Sequence, residues 1–92
     1  MNSQERFEHY QKNGFTEEAF KDRAWRIRRD AYRELGFTKE ALKDEYLHIR
    51  TEAAEYLETI KDINLENAPL FLTHEKRSIR NHAKRILNHE QR

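Results

Sequence analysis

The chain has 92 residues, no cysteine, and 18 basic against 17 acidic residues. This length allows one domain, 1–92, and the lack of cysteine excludes disulfides and thiolate metal sites. Hydrophobic residues make up only 36% of the chain, which predicts a folded domain with a thin core. No apolar run reaches the roughly 18 residues of a membrane span, and no apolar signal segment opens the sequence. We therefore expect a cytoplasmic protein with no membrane partner.

A stretch of 22 residues occurs twice. Residues 14–35 and 36–57 align without gaps and are identical at 11 of 22 positions. Each copy opens with Gly-Phe-Thr, and a tyrosine stands four residues before each glycine. The glycine is predicted to end one helix, because a positive φ costs glycine little, and the phenylalanine to contact the tyrosine. The threonine is predicted to cap the next helix. The corner positions are Tyr10, Gly14, Phe15 and Thr16 in one copy, and Tyr32, Gly36, Phe37 and Thr38 in the other.

These signals predict an all-α fold, a small helical bundle of three to four helices built on the duplicated helix–Gly-Phe-Thr corner–helix unit. The absence of valine agrees with helix throughout. In the connector we expect four apolar residues to pack down, namely Leu65, Leu70, Phe71 and Leu72. The helices are expected at about 3–13, 17–35, 39–61 and 74–90, and the connector at 62–73.

Apolar residues that recur every three or four positions predict the core side of each helix. The second helix contributes Phe20, Ala24, Ile27, Ala31 and Leu35, the third Leu42, Tyr46, Ile49, Ala53, Tyr56, Leu57 and Ile60, and the last Ile79, Ala83, Ile86 and Leu87.

The second helix also carries a second apolar edge. Trp25 and Tyr32 lie about 120° from its core stripe at 100° per residue. Either the first and last helices cover this edge, or it anchors a partner protein or a second copy. Tryptophan, tyrosine and arginine dominate interface energies, and an arginine row lies beside this edge. The predicted partner-binding residues are therefore Trp25, Arg26, Arg29, Tyr32 and Arg33.

The net charge of +1 is a cancellation between segments. Residues 37–62 carry 4 basic and 7 acidic groups, whereas residues 63–92 carry 6 basic and 3 acidic groups. Solvated charge is the ordinary outcome for such faces. The alternative is that a basic face docks on an acidic one, in a dimer or on a partner.

The basic last helix raises the question of nucleic-acid binding. A basic stripe is the electrostatic footprint of such binding. The sequence pI near 8.1 lies below the value of about 9 that makes this interpretation strong. Nucleic acid therefore stays the less favoured partner, with the second-helix arginine row and, on the last helix, Arg77, Arg80, Lys84 and Arg85 as its candidate contacts.

The sequence shows no catalytic, cofactor-binding or metal-binding pattern. It contains no phosphate-binding glycine loop and no cysteine nucleophile, and its five histidines lack the spacing of a zinc site. We predict a small non-enzymatic interaction module without a small-molecule substrate, a regulator, adaptor or inhibitor that docks a protein or a second copy of itself. The alternative is a nucleic-acid-binding regulator. Phages and other mobile elements often encode small chains of this kind, so such an origin is an expectation from genomes and not from any residue of the sequence.

Overall fold

The computed structural model describes residues 1–90, and its side-chain packing is described up to His89. Within residues 1–90 it contains four α-helices, three short 3-10 segments and no strand, so the predicted all-α fold is confirmed. The helices are α1 Ser3–Asn13, α2 Trp25–Leu35, α3 Leu47–Asp62 and α4 Arg77–Glu90. The 3-10 segments are Glu17–Lys21, Lys39–Lys43 and Ala68–Phe71.

Both predicted helix stops are confirmed. Gly14 and Gly36 follow the ends of α1 and α2 with φ of 96° and 105°. Their N–H groups donate to the carbonyl oxygens of Tyr10 and Tyr32, each over 2.8 Å. With ψ of 148° and 143°, the two glycines are more extended than a left-handed helical residue, in a region that is essentially restricted to glycine.

The predicted contact between tyrosine and phenylalanine is also present at both corners. Tyr10 stacks on Phe15 and Tyr32 on Phe37, each with ring centroids 5.4 Å apart. The ring planes are within 11° and 13° of parallel. Each corner is thus closed by a backbone hydrogen bond and an aromatic stack that share one tyrosine.

The predicted helices at 17–35 and 39–61 are wrong in one respect, because each is broken near its start. A 3-10 segment comes first, and an aspartate then ends it. Asp22 accepts the N–H of Ala24 over 2.9 Å, and Asp44 accepts the N–H of Tyr46 over 2.9 Å. Aspartate that bonds its own backbone two residues on forms a turn. The α-helix therefore restarts only at the third residue after each aspartate.

Thr16 and Thr38 lie at the predicted N-cap position, directly before a 3-10 segment. Within residues 1–90, however, neither Thr16 nor Thr38 caps its segment with a side-chain hydrogen bond. The last α-helix begins at Arg77 and not at 74, because the same turn recurs there. His74 takes the aspartate's place, and its Nδ1 lies 3.0 Å from the backbone nitrogen of Lys76.

Arg28 and Asp44 form a buried ion pair between consecutive units. Nε and Nη2 of Arg28 donate to the two carboxylate oxygens over 2.9 and 3.0 Å, and the two side chains are only 7% and 6% exposed. Nη1 of Arg28 donates to the carbonyl oxygens of Asp22 and Arg23. The hydrogen bond to Asp44 raises the pKa of Arg28, so the guanidinium is held in its charged form.

Arg6 and Asp22 repeat this arrangement one unit earlier. Nε and Nη2 of Arg6 donate to the Asp22 carboxylate over 2.8 and 3.0 Å. The Arg6 hydrogen bond holds the pKa of Asp22 below its usual value. Both aspartates therefore fix a turn within their own unit and tie it to the preceding one.

Small and β-branched residues at equivalent helix positions form the core. The alanines and isoleucines in this role are at most 1% exposed, which lets the elements approach closely. They are Ile27, Ile49 and Ile79, the helical Ala31, Ala53 and Ala83, and the 3-10 residues Ala19, Ala41 and Ala68.

Four leucines that were predicted to be buried, two in helices and two in the connector, are exposed, so these predictions are wrong. Leu35 and Leu42 are 43% and 41% exposed, and Leu65 and Leu70 are 48% and 78% exposed. Leu42 lies in a 3-10 segment, where residues advance about 120° and not the 100° used to place it. Leu35 is the last residue of α2, beside the corner. In the connector, Phe71 and Leu72 do pack against the core, whereas reciprocal hydrogen bonds between Asn64 and Asn67 order an exposed turn at Leu65.

Alanine is expected to destabilise the fold more at Gly36 than at Gly14. Both substitutions suffer backbone strain of about 1–3 kcal/mol. A Cβ at Gly36 would also lie 3.0 Å from the hydroxyl of Tyr56, whereas among the described residues nothing lies within 4 Å of one at Gly14. Urea unfolding of both variants measures the difference. Equal losses would contradict the Tyr56 contact, and no loss at either site would contradict the positive φ.

Asp44→Ala is expected to lower the free energy of unfolding by about 3–5 kcal/mol, because it removes the buried partner of Arg28 and leaves only the exposed carboxylate of Glu45, 3.6 Å away, as counter-charge. Asp44→Asn keeps an acceptor for the Tyr46 N–H and should lose less. The control is Glu58→Ala at an exposed position of α3, which should stay within about 0.5 kcal/mol of wild type. Urea unfolding measures all three, and a loss below about 1 kcal/mol for Asp44→Ala would contradict the assigned role of the pair.

Candidate protein-docking surface

Trp25 is the first residue of α2 and lies on the ring of Tyr46, just before α3. The ring centroids are 4.4 Å apart and the planes are inclined by 25°. The turns at Asp22 and Asp44 set both positions, because each fixes where the following helix begins. Trp25 nevertheless stays 36% exposed, so one ring is held by another and still presents an accessible edge.

Two arginines of α2 surround the indole. The guanidinium carbon of Arg29 lies 5.2 Å from the Trp25 ring centroid, and that of Arg26 lies 6.0 Å away. Both are within cation–π range. Nε of Arg29 also donates to Asp30 over 3.1 Å, whereas Arg26 is exposed. We call Trp25, Arg26, Arg29 and Tyr46 the Trp25 patch.

A notch of about 300 Å³ opens beside the Trp25 patch, between α1 and the start of α2. Its apolar lining comes from both helices, and Arg26 stands among the lining residues. Such a notch has room for one apolar side chain beside a cation. The lining residues are Ser3, Gln4, Phe7, Ala24, Trp25, Arg26 and Ile27.

Tyr32 was predicted to bind a partner, but it does not lie on this surface; the other alternative applies to it, because elements of the same chain cover it. It is 3% exposed and lies between two rings, with centroids 4.4 Å from Phe20 and 5.4 Å from Phe37. Burial raises the pKa of its hydroxyl. The physical reason is the 3-10 segment Glu17–Lys21, because it brings Phe20 onto the face of α2 that periodicity had left uncovered.

Arg33 is engaged within the chain. Its Nε and Nη2 donate to the carboxylate of Glu52 on α3 over 3.0 and 2.5 Å, and this bonding raises the pKa of Arg33. The alternative to solvated charge, a basic row that meets an acidic helix, therefore applies at this position, but inside one molecule and not in a dimer or on a partner.

A concave groove of about 990 Å³ lies along this charged face. Three ion pairs line it. Arg33 on α2 pairs with Glu52 on α3, and Arg77 on α4 pairs with Glu34 on α2. Lys76, in the turn before α4, pairs with Glu55 on α3. The Lys76 hydrogen bond lowers the pKa of Glu55. This groove was not predicted from the sequence, although the acidic third helix and the basic last helix were its signal. Its lining comprises Tyr10, Gln11, Gly14, Phe15, Asp30, Arg33, Glu34, Glu52, Glu55, Glu75, Lys76, Arg77 and Arg80.

The four candidate nucleic-acid contacts do not form one free basic stripe. Arg77 pairs with Glu34, and Arg80 is half-buried and donates to backbone carbonyl oxygens. Lys84 and Arg85 are exposed. Two of the four cations are therefore already engaged in holding α4 in place.

Among the side chains described, those of residues 1–89, no group of three or more histidine, aspartate and glutamate residues could hold a metal ion. Over residues 1–90, no helix is long and apolar enough to cross a membrane. Comparison of the chain with protein families, with curated proteins and with solved structures finds no match in any of the three.

The stability of the fold is expected to fall on acidification in two steps. Burial, with a smaller contribution from Arg85, lowers the pKa of His82, and Arg6 lowers the pKa of Asp22. In both cases the folded state binds fewer protons than the unfolded state, so stability falls as pH falls. The His82 contribution is complete above about pH 6.5 and the Asp22 contribution above about pH 4.

Thermal melts at about pH 7.5, 5.5 and 3.5, chosen to bracket these ordinary pKa values, measure the two steps. His82→Gln should remove most of the loss between the first two. His89→Gln changes an exposed histidine of the same helix and should keep that loss. Asp22→Asn should reduce the second step. A constant melting temperature across the first interval would contradict the assignment to His82.

Proposed function

We propose that the chain is a small non-enzymatic protein–protein interaction module, a regulator, adaptor or inhibitor that docks its partner on the Trp25 patch. The observation that carries this proposal is an exposed tryptophan already stacked on Tyr46 and flanked by Arg29. A side chain held in place before binding loses less conformational entropy in the complex. Tryptophan, tyrosine and arginine are also the residues that most often dominate binding energy.

The chemistry of the patch favours a partner with an apolar anchor next to carboxylates. The notch beside Trp25 supplies apolar walls for the anchor. Arg26 and Arg29 supply the positive charge that meets a carboxylate. The partner is a second protein or another copy of this chain, and molar mass separates the two.

Nucleic acid is the alternative partner, and two observations weigh against it. Tyr46 stacks on one face of the Trp25 indole and the Arg29 guanidinium carbon lies 5.2 Å from the ring centroid, which reduces the ring surface open to base stacking. On α4, Arg77 is paired with Glu34 within the chain. Lys84 and Arg85 remain exposed and define the test of this alternative.

The direct test compares wild type with the double variant Trp25→Ala/Arg29→Glu in quantitative binding to partners captured from the source cells. Loss of a hot-spot tryptophan costs about 2 kcal/mol or more, or roughly 30-fold in affinity. The control Leu70→Ala/Lys61→Glu changes one apolar and one basic residue at exposed positions elsewhere, and should bind as wild type does. Circular dichroism checks that all variants stay helical, and light scattering reports self-association.

Three outcomes would contradict the proposal. The first is a monomer that captures no protein, and the second is equal capture by wild type and the double variant. The third is salt-sensitive DNA binding that Lys84→Glu/Arg85→Glu abolishes while Trp25→Ala/Arg29→Glu leaves it unchanged. That result would favour the alternative, in which the chain binds nucleic acid through α4.

A further inference from the structure

Four arginines reach back to the backbone before their own helix in the same way. In each of them Nη1 donates to a main-chain carbonyl oxygen at or before the helix start. The acceptors are Met1 for Arg6 at 3.1 Å, Asp22 for Arg28 at 2.8 Å, Asp44 for Arg50 at 2.6 Å, and His74 for Arg80 at 2.6 Å.

In the first two, the other edge of the guanidinium binds a carboxylate. Nε and Nη2 of Arg6 bind Asp22, and those of Arg28 bind Asp44, all over 2.8 to 3.0 Å. The guanidinium geometry matches a carboxylate bidentately. In Arg6 and Arg28, the arginine held by its Nη1 group therefore binds a carboxylate with its other edge.

Arg80 has the hydrogen bonds to backbone carbonyl oxygens but not the bound carboxylate. Its Nη1 is held by two carbonyl oxygens, those of His74 at 2.6 Å and Glu75 at 3.0 Å, and its side chain is half-buried. Among the side chains of residues 1–89, no carboxylate lies within 4.0 Å of its nitrogens, and Nε and Nη2 have no hydrogen-bond acceptor. A fixed guanidinium thus keeps two donors on one edge that no described group satisfies.

The surroundings distinguish Arg80 from Arg50, whose carboxylate is also missing within the described range. Arg80 lines the concave groove, and Arg50 does not. Its basic neighbours Lys76 and Arg77 are already paired with acidic groups. Arg80 is therefore the cation of this wall that is oriented but not neutralised.

We propose that Nε and Nη2 of Arg80 bind the carboxylate of an aspartate or glutamate on a partner protein that enters the groove. A carboxylate is the group that Arg6 and Arg28 bind in the same pose. Pre-orientation by two carbonyl oxygens reduces the entropy lost on binding, and a bidentate charged hydrogen bond is among the stronger polar contacts. The site lies apart from the Trp25 patch and does not depend on it.

Side-chain NMR of the arginine Nε–H groups tests the site directly, with a synthetic aspartate decamer as the probe at low salt. The Arg80 Nε–H signal should shift and saturate. Arg80→Lys keeps the positive charge but loses the two parallel N–H donors of the guanidinium. Calorimetry should therefore show decamer binding weakened at least five-fold. Arg85→Lys, at an exposed position of the same helix, should change it less than two-fold. Glu75→Gln removes a carboxylate beside Arg80 that repels the negatively charged decamer, and should strengthen decamer binding by about two-fold.

Several results would overturn this proposal. One is an Arg80 signal that does not move in wild type, which decides the matter even if Arg80→Lys fails to fold. Another is an equal shift with inorganic phosphate, which would assign the edge to free anions. A third is a dimer that Arg80→Lys dissociates, because the carboxylate would then come from a second copy. Trp25→Ala should leave the shift intact, so failure of the Trp25 patch and failure of this site are distinguishable.

Discussion

The fold depends on one buried charge pair, Arg28 with Asp44. Burying two charges costs several kcal/mol per ion unless geometry and hydrogen bonding offset the cost. Here both carboxylate oxygens accept from Arg28, one also accepts from Tyr46, and the third guanidinium nitrogen binds backbone carbonyl oxygens. One aspartate thus ends a 3-10 segment, starts α3, and ties the unit to the preceding one. A thin apolar core is adequate because these ties fix the relative position of neighbouring units.

The same constraint produces the exposed surface. Because the turns at Asp22 and Asp44 fix where α2 and α3 begin, Trp25 and Tyr46 meet as a stack. A free indole at the start of a helix would sample several rotamers and lose that freedom on binding. The ion pairs that hold the fold therefore also fix the Trp25–Tyr46 stack, and its rigidity follows from residues outside the Trp25 patch.

The corners were predictable from the sequence, because glycine, tyrosine and phenylalanine act within six residues of one another. The helix breaks were not, because the arginine and the aspartate that stabilise them lie 16 residues apart, and a single-helix periodicity contains no such pair. A signal did exist: Ile-Arg-x-x-Ala occurs at 27–31, 49–53 and 79–83. Of the predicted partner-binding residues, Trp25 stays partly exposed with Arg29 half-buried beside it, whereas Tyr32 is buried, because a helical wheel does not include the 3-10 segment that covers it.

Charge balance has a further consequence for recognition. Arg33, Lys76 and Arg77 meet acidic partners inside the chain, so the groove has little net field with which to steer a ligand over long range. For the carboxylate binding proposed above, selectivity would then rest on the one groove cation, Arg80, that no described acidic group neutralises. Natural chains depart from local rules mainly at functional sites. Arg80, fixed on one edge and without a described acceptor on the other, departs from the rule that Arg6 and Arg28 obey, and that difference is what makes its position in the groove informative.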